Sequence, residues 1–193
     1  MDESRIQPFP EKKQGARVWA VLKEIASGLC YLAIVLMISV LLVRYVVQRT
    51  DVVGPSMNDT LRQGDSLLIE KLSYRFHDPE RFDVVVFDYL YQEDTHYIKR
   101  IIGLPGEEVQ IKDGAVYING EKLEDPYGKE LIVNPKRAAE PILLGPDEYF
   151  VLGDNRNNSS DSREVDVGNV KRSQIIGRVW LRIWPLDRLG TVR

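Results

Sequence analysis

Residues 109–120, VQIKDGAVYING, decide the fold class. Two short apolar, β-branched runs, 109–111 and 115–118, are separated by Asp113-Gly114, and the second ends on Asn119-Gly120. A type I′ turn needs two consecutive residues that tolerate positive φ, and Asn-Gly after an alternating run is a strong hairpin signal. The same grammar extends in both directions. Runs at 67–69, 84–87, 97–102, 142–144, 149–152 and 175–183 read as strands, with Val52-Val53 as a further strand-like pair. Gly64-Asp65 and Pro105-Gly106 add turn signals between them. No 3.6-residue periodicity follows residue 50. The stretch 121–141 is polar and carries Pro126, Pro135 and Pro141, so it reads as a loop-rich excursion from the sheet, spanning about 107–146 in all.

Further out the character changes. Residues 25–43, IASGLCYLAIVLMISVLLV, contain no charged side chain over 19 positions. At 1.5 Å per residue that is about 28 Å of helix, close to the roughly 30 Å hydrocarbon core of a bilayer. A cleaved signal peptide has a shorter apolar region of roughly 7–15 residues and a small-residue cleavage site. Here Arg44-Tyr45-Val46-Val47-Gln48-Arg49 follows instead. The segment is therefore expected to be a retained span, with Trp19 and Tyr45 near its two interfaces. Arg5, Lys12, Lys13, Arg17 and Lys23 precede it, against Arg44 and Arg49 just after. That asymmetry predicts a cytoplasmic tail, 1–24, a transmembrane helix, 25–43, and an extracytoplasmic domain, 44–193.

Composition fits this division. The chain has 193 residues, 44% hydrophobic and 28% charged, with a formal net charge of −3. Those proportions exclude wholesale disorder, and the length suits one domain plus an appendage. Mild acidity without a long basic tract argues against nucleic acid as the main partner. The single cysteine, Cys30, falls inside the span, so core burial alone must hold the outer domain.

Three segments can carry chemistry. Gly54-Pro55-Ser56-Met57 is a tight turn that would present a serine hydroxyl on a fixed backbone, although a plain polar turn looks the same. Tyr97-Ile98-Lys99-Arg100-Ile101-Ile102 sets two cations in an apolar strand. Alternation puts Lys99 in a row with Tyr97 and Ile101, and Arg100 with Ile98 and Ile102. A buried lysine loses hydration of its charged form and becomes a general-base candidate; a buried arginine stays charged and needs a carboxylate. The alternative is an edge strand with both charges solvated. The third segment, GDNRNNSSDSR (153–163), follows a core strand, and its Asp154 or Asp161 can pair Arg100. It lacks the Gly and terminal Glu spacing of a calcium loop. His77 and His96 lie in polar contexts, and no cluster has metal-ligand spacing.

Taken jointly, GPSMNDTL (54–61), GDSLLIEKL (64–72), RFDVVVF (81–87), YIKRIIGLPGE (97–107), GDNRNNSSDSR (153–163) and IIGRVWLRIWPL (175–186) resemble the bacterial type I signal peptidases. These are membrane-anchored serine proteases with a Ser/Lys dyad. The resemblance covers almost the whole chain in order. It implies a mainly β fold, with an antiparallel β catalytic core and a smaller β excursion behind one N-terminal transmembrane helix. It implies Ser56 as nucleophile and Lys99 as general base, with Ser159 hydrogen-bonded to the lysine amine. Arg100 would be held by Asp154 and Asp161, and Arg163 would brace the same loop. Substrates would be secretory preproteins with small residues at −1 and −3, added as a strand beside 51–54 and 94–98. Val52, Val53, Gly54, Met57, Tyr97 and Ile98 would line the substrate site. No cofactor and no metal are expected. The sequence departs from the family pattern in three places. Gly54 stands where some members carry serine, Asp59 where proline is usual, and Phe82 where glycine is usual. Trp180 and Trp184 would either meet the lipid interface or sit in the core. Two rivals are an inactive signal-peptidase-like assembly factor or chaperone, opposed by the presence of both Ser56 and Lys99, and a self-cleaving repressor. The latter would need a DNA-binding helical region where this chain has a hydrophobic span.

Overall fold

A computed structural model describes residues 12–192, and the chain divides into two compact units, 1–44 and 45–193. The described part of the first unit is one helix, α1 (Lys12–Tyr45). Its long apolar stretch runs from Arg17 to Leu41, and the described side chains there are exposed. Ser39, inside the stretch, returns its hydroxyl to the Val35 carbonyl at 2.8 Å, so its polar group is satisfied within the helix. The helix starts well before residue 25 because Lys, Gln, Ala and Arg are good helix formers. Residues 1–11 of the expected tail, Arg5 among them, lie outside the described residues.

The second unit is antiparallel β throughout its strand pairings. Its main sheet comprises β1 (Val47–Asp51), β2 (Ser66–Glu70), β3 (Val84–Asp88), β4 (His96–Gly103), β9 (Glu148–Leu152), β10 (Val170–Lys171), β11 (Ile175–Trp184) and β12 (Gly190–Thr191). The order is β1-β2-β11-β3-β4-β9-β10, with β12 on β11. The excursion is a second sheet of β5 (Glu108–Lys112), β6 (Ala115–Ile118), β7 (Glu121–Lys122) and β8 (Ile142–Leu143), in the order β7-β6-β5-β8. The β6–β7 turn has Asn119 at φ 52° and Gly120 at 82°, the conformation that Asn-Gly predicts.

Burial explains the apolar runs. β3 is covered on both faces: Val84 and Val86 join Val52, Met57, Leu61, Leu67 and Ile69, while Val85 and Phe87 join Tyr74, Ile101, Tyr149 and Val151. A third cluster, with Ile102, Val109, Ile111, Val116, Leu144 and Phe150, packs the second sheet against the ends of β4 and β9.

Two readings need correction. The strand near residue 52 is β1, and Val52-Val53 follow it; Gln48, Arg49 and Thr50 hide β1 because an edge strand needs no apolar face. Second, β4 is not an edge strand. It lies between β3 and β9, so Lys99 and Arg100 are buried.

Candidate active site

After β1 the backbone continues its pairing for one residue, Val52 N–H to Asp65 C=O at 2.8 Å, and then turns at Gly54, whose φ is +89°. Buried Met57 and Leu61 anchor the far side of the turn in the core. Ser56 is thus held between two apolar fixings. Its carbonyl accepts the Asn155 N–H at 3.1 Å, and Asn155 Nδ2 donates to the Pro55 carbonyl at 3.2 Å. The serine turn and the 153–163 loop are thus joined by a backbone and a side-chain hydrogen bond.

β4 brings Lys99 to this turn. Lys99 is 4% exposed, and its Nζ donates to Ser56 Oγ at 3.0 Å and to the Ile98 carbonyl at 2.9 Å. Burial strips water from the ammonium and lowers its pKa to about 8, against the opposing pull of the Asp161 and Asp154 carboxylates. An amine that is partly neutral at physiological pH and touches a hydroxyl can remove that hydroxyl's proton.

Below Lys99 lies a polar core. Arg100 donates from Nε to Asp154 Oδ1 at 2.8 Å and from Nη2 to Asp154 Oδ2 at 2.7 Å. Asp154 also accepts the Thr60 hydroxyl at 2.6 Å, which ties the segment after Ser56 to the same carboxylate. Asp161 pairs Arg163 through Nε at 2.8 Å and Nη2 at 2.9 Å, and accepts the Gly153 N–H at 3.1 Å. Asp154 thus pairs with Arg100, as expected, and Asp161 pairs with Arg163. Arg163 braces the loop as expected, donating also to the Arg156 carbonyl. The expected Ser159–Lys99 hydrogen bond is not made. Ser159 Oγ packs against Gly153, buried and without a hydrogen-bond partner among the described residues.

Thr60, Asn155 and Arg156 carry no assignment from the sequence, although all three lie inside quoted motifs. Gly153 is a further case. A Cβ there would stand 2.3 Å from Ser159 Oγ and 2.5 Å from the Ser56 carbonyl oxygen, closer than packing allows. Gly153→Ala is expected to destabilise the protein by about 1–3 kcal/mol, the usual range for overpacking. Urea denaturation of the detergent-solubilised chain checks this, and an unchanged midpoint would show that the loop and turn are not in contact.

A groove of about 520 Å³ opens over the serine. Val52, Val53, Gly54, Met57, Tyr97 and Ile98 all line it, together with Ser56, Lys99, His96, Asn157, Asn158 and Ser159. β4 pairs with β3 from residue 96 onward but meets β9 only from Arg100, so among the described residues its first residues have no strand on that side. His96 pairs with Asp88 at 2.9 Å.

Residues 24–184 match the family described as signal peptidase, peptidase S26. The probable signal peptidase I-2 of Synechocystis is 39% identical over 98% of this chain and 85% of its own length. Signal peptidase I of Leptolyngbya laminosa is 42% identical over 76% and 73%. A crystal structure of a signal peptidase I from Enterococcus faecalis is 32% identical, covering 53% of this chain and 97% of that one, with a TM-score of 0.45. A match over most of the chain, carried through the serine turn, β4 and the 153–163 loop, makes this chain a member of the signal peptidase family, peptidase S26.

Proposed function

We propose that the chain is a membrane-anchored serine endopeptidase that removes signal peptides from secretory preproteins, with Ser56 as nucleophile and Lys99 as general base. The observation that carries this reading is the buried Lys99 amine 3.0 Å from Ser56 Oγ on the wall of an open groove. Neutral Lys99 takes the Ser56 proton as the oxygen attacks the scissile carbonyl. The amine of the mature protein leaves with a proton returned by Lys99, and an ester to Ser56 remains. Lys99 then draws a proton from water, whose oxygen attacks the ester, and returns that proton to Ser56 Oγ as the signal peptide is freed. Among the described residues the Ser56 N–H meets no backbone acceptor, so it is free to donate to the oxyanion. Gly54 supplies no hydroxyl for this purpose.

The unpaired side of 96–98 and the chain at 51–54 flank the groove, an arrangement suited to an extended peptide added as a strand. Small side chains at −1 and −3 suit subsites bounded by Val52, Met57 and Tyr97. The apolar stretch of α1 anchors the enzyme, with the N-terminus cytoplasmic and the β unit outside. Anchoring raises the local concentration of substrates whose signal peptides are themselves in the bilayer. Trp180 and Trp184, 50% and 55% exposed, are not core aromatics and suit a lipid interface.

The test is cleavage of a secretory preprotein by the full chain in detergent or lipid vesicles, with N-terminal sequencing of the product. A product beginning directly after the signal peptide is expected. Failure to cut, or a cut elsewhere in the preprotein, would overturn the reading.

A further inference from the structure

The second sheet sends the segment 125–128 across to the polar core beneath the serine turn. Tyr127 lays its ring on Arg100, with Cζ 3.5 Å from the ring centroid. Phe82 packs against Tyr127, the ring centroids 5.6 Å apart and the planes tilted by 53°. Asp125 forms an ion pair with Arg156, the two side chains 9% and 3% exposed. Arg156 in turn donates from Nε to the Gly153 carbonyl at 3.0 Å. One segment of the excursion thus grips Arg100 of β4 and Arg156 of the 153–163 loop.

Phe82 marks this contact as demanding. Its φ is 72°, a region that a residue with a Cβ rarely occupies. A backbone held there is retained only where the surroundings over-determine it. Here they do. The Phe82 carbonyl accepts Arg100 Nη1 at 2.7 Å, its N–H bonds to the Ile101 carbonyl at 2.8 Å, and its ring lies on Tyr127. We propose that Phe82, Tyr127 and Asp125 form a positioning clamp, by which the second sheet holds Arg100 onto Asp154 and seats the 153–163 loop against the serine turn. The inference rests on the reading of Ser56 and Lys99 as the catalytic pair.

The clamp reaches the chemistry through charge. Asp154 and Asp161 are the carboxylates whose field favours the Lys99 ammonium, and His96, Lys136 and Glu164 line the same groove. Tyr97 presents its ring 5.0 Å from Lys99 Nζ. Arg100 offsets the charge of Asp154. An aromatic cover keeps that guanidinium dry and in register. Without the ring, water enters, Arg100 loosens, and Asp154 acts on Lys99 with more of its charge. The lysine then holds its proton more tightly.

The experiment uses the purified full chain in detergent, with wild type, Ser56→Ala, Tyr127→Leu and Tyr127→Phe. Leucine keeps an apolar filling and removes the ring; phenylalanine keeps the ring. Preprotein cleavage is followed from pH 6 to 10, and hydrogen exchange of residues 153–163 is measured alongside. In Tyr127→Leu the acid limb of kcat/KM should rise by about one unit, lowering the rate at neutral pH roughly tenfold, because each unit changes the neutral fraction tenfold. KM should stay within about twofold, since the ring does not line the groove. Exchange in 153–163 should quicken, and Tyr127→Phe should restore both. A folded Tyr127→Leu protein with the wild-type acid limb, or with unchanged exchange in 153–163, overturns the clamp. An inactive wild type or an active Ser56→Ala protein counts against the catalytic pair instead, and the exchange measurement still judges the clamp.

Discussion

Lys99→Met and Ser56→Ala are each expected to reduce preprotein cleavage to background while leaving the protein folded. Methionine matches the length of lysine and suits the apolar surroundings of a side chain only 4% exposed, so it removes the amine and little else. Lys99→Arg should fail equally, because a guanidinium does not deprotonate at working pH. Near-wild-type turnover by any of these variants would exclude the Ser/Lys mechanism. The wild-type profile carries a matching signature. Burial lowers the Lys99 pKa to about 8, so activity should climb about tenfold per unit below that value and level off above it. Stability moves in the same direction. The folded pKa lies below the ordinary value of 10.5, so the unfolded chain binds more protons between about 8 and 10.5, and this lysine favours folding increasingly as pH rises through that window.

The second large effect concerns stability. Arg100 and Asp154 have side chains 0% and 2% exposed, joined by two hydrogen bonds. Arg100→Met leaves a carboxylate buried without its cation, a change that destabilises proteins by about 3–5 kcal/mol. Arg100→Met combined with Asp154→Leu removes both charges and should recover a large part of that loss, although the Thr60 hydroxyl then loses its acceptor. Urea denaturation of the wild type, the two single variants and the double variant in detergent measures the cycle. A loss below about 1 kcal/mol in Arg100→Met would place this pair with solvent-exposed salt bridges, against its burial.

How much of this was legible depends on the range of the interaction. The 115–122 hairpin could be read because its turn chemistry is local, and the apolar helix because its pattern is continuous. Ser56 and Lys99 gained meaning only from several motifs occurring together, since a serine in a turn and a lysine in a strand are each ordinary. The 153–163 loop displays two aspartates and two arginines, with a third arginine in β4. Their spacing does not tell which carboxylate meets which guanidinium; the fold shows Asp161 paired with Arg163. Tyr127 and Asp125 were hidden altogether. Their partners, Arg100 and Arg156, lie in other elements, and the intervening polar, proline-bearing stretch has no periodicity to place them. Phe82 could be seen as a departure from the family's glycine, but the aromatic partner that accommodates it could not.

The position of β11 has a consequence for the order in which the enzyme becomes competent. β11, residues 175–184, lies between β2 and β3, so it separates the strand pair that leads into Ser56 from the pair that carries Lys99. A growing chain that has delivered both residues still lacks the rung that joins them into one sheet. Ser56 and Lys99 sit on one continuous sheet only once residues 175–184 are in place. Under the proposed Ser/Lys mechanism, a partly made chain therefore carries both reactive groups without the sheet that joins them, at the stage when its own unfolded segments would be most open to attack.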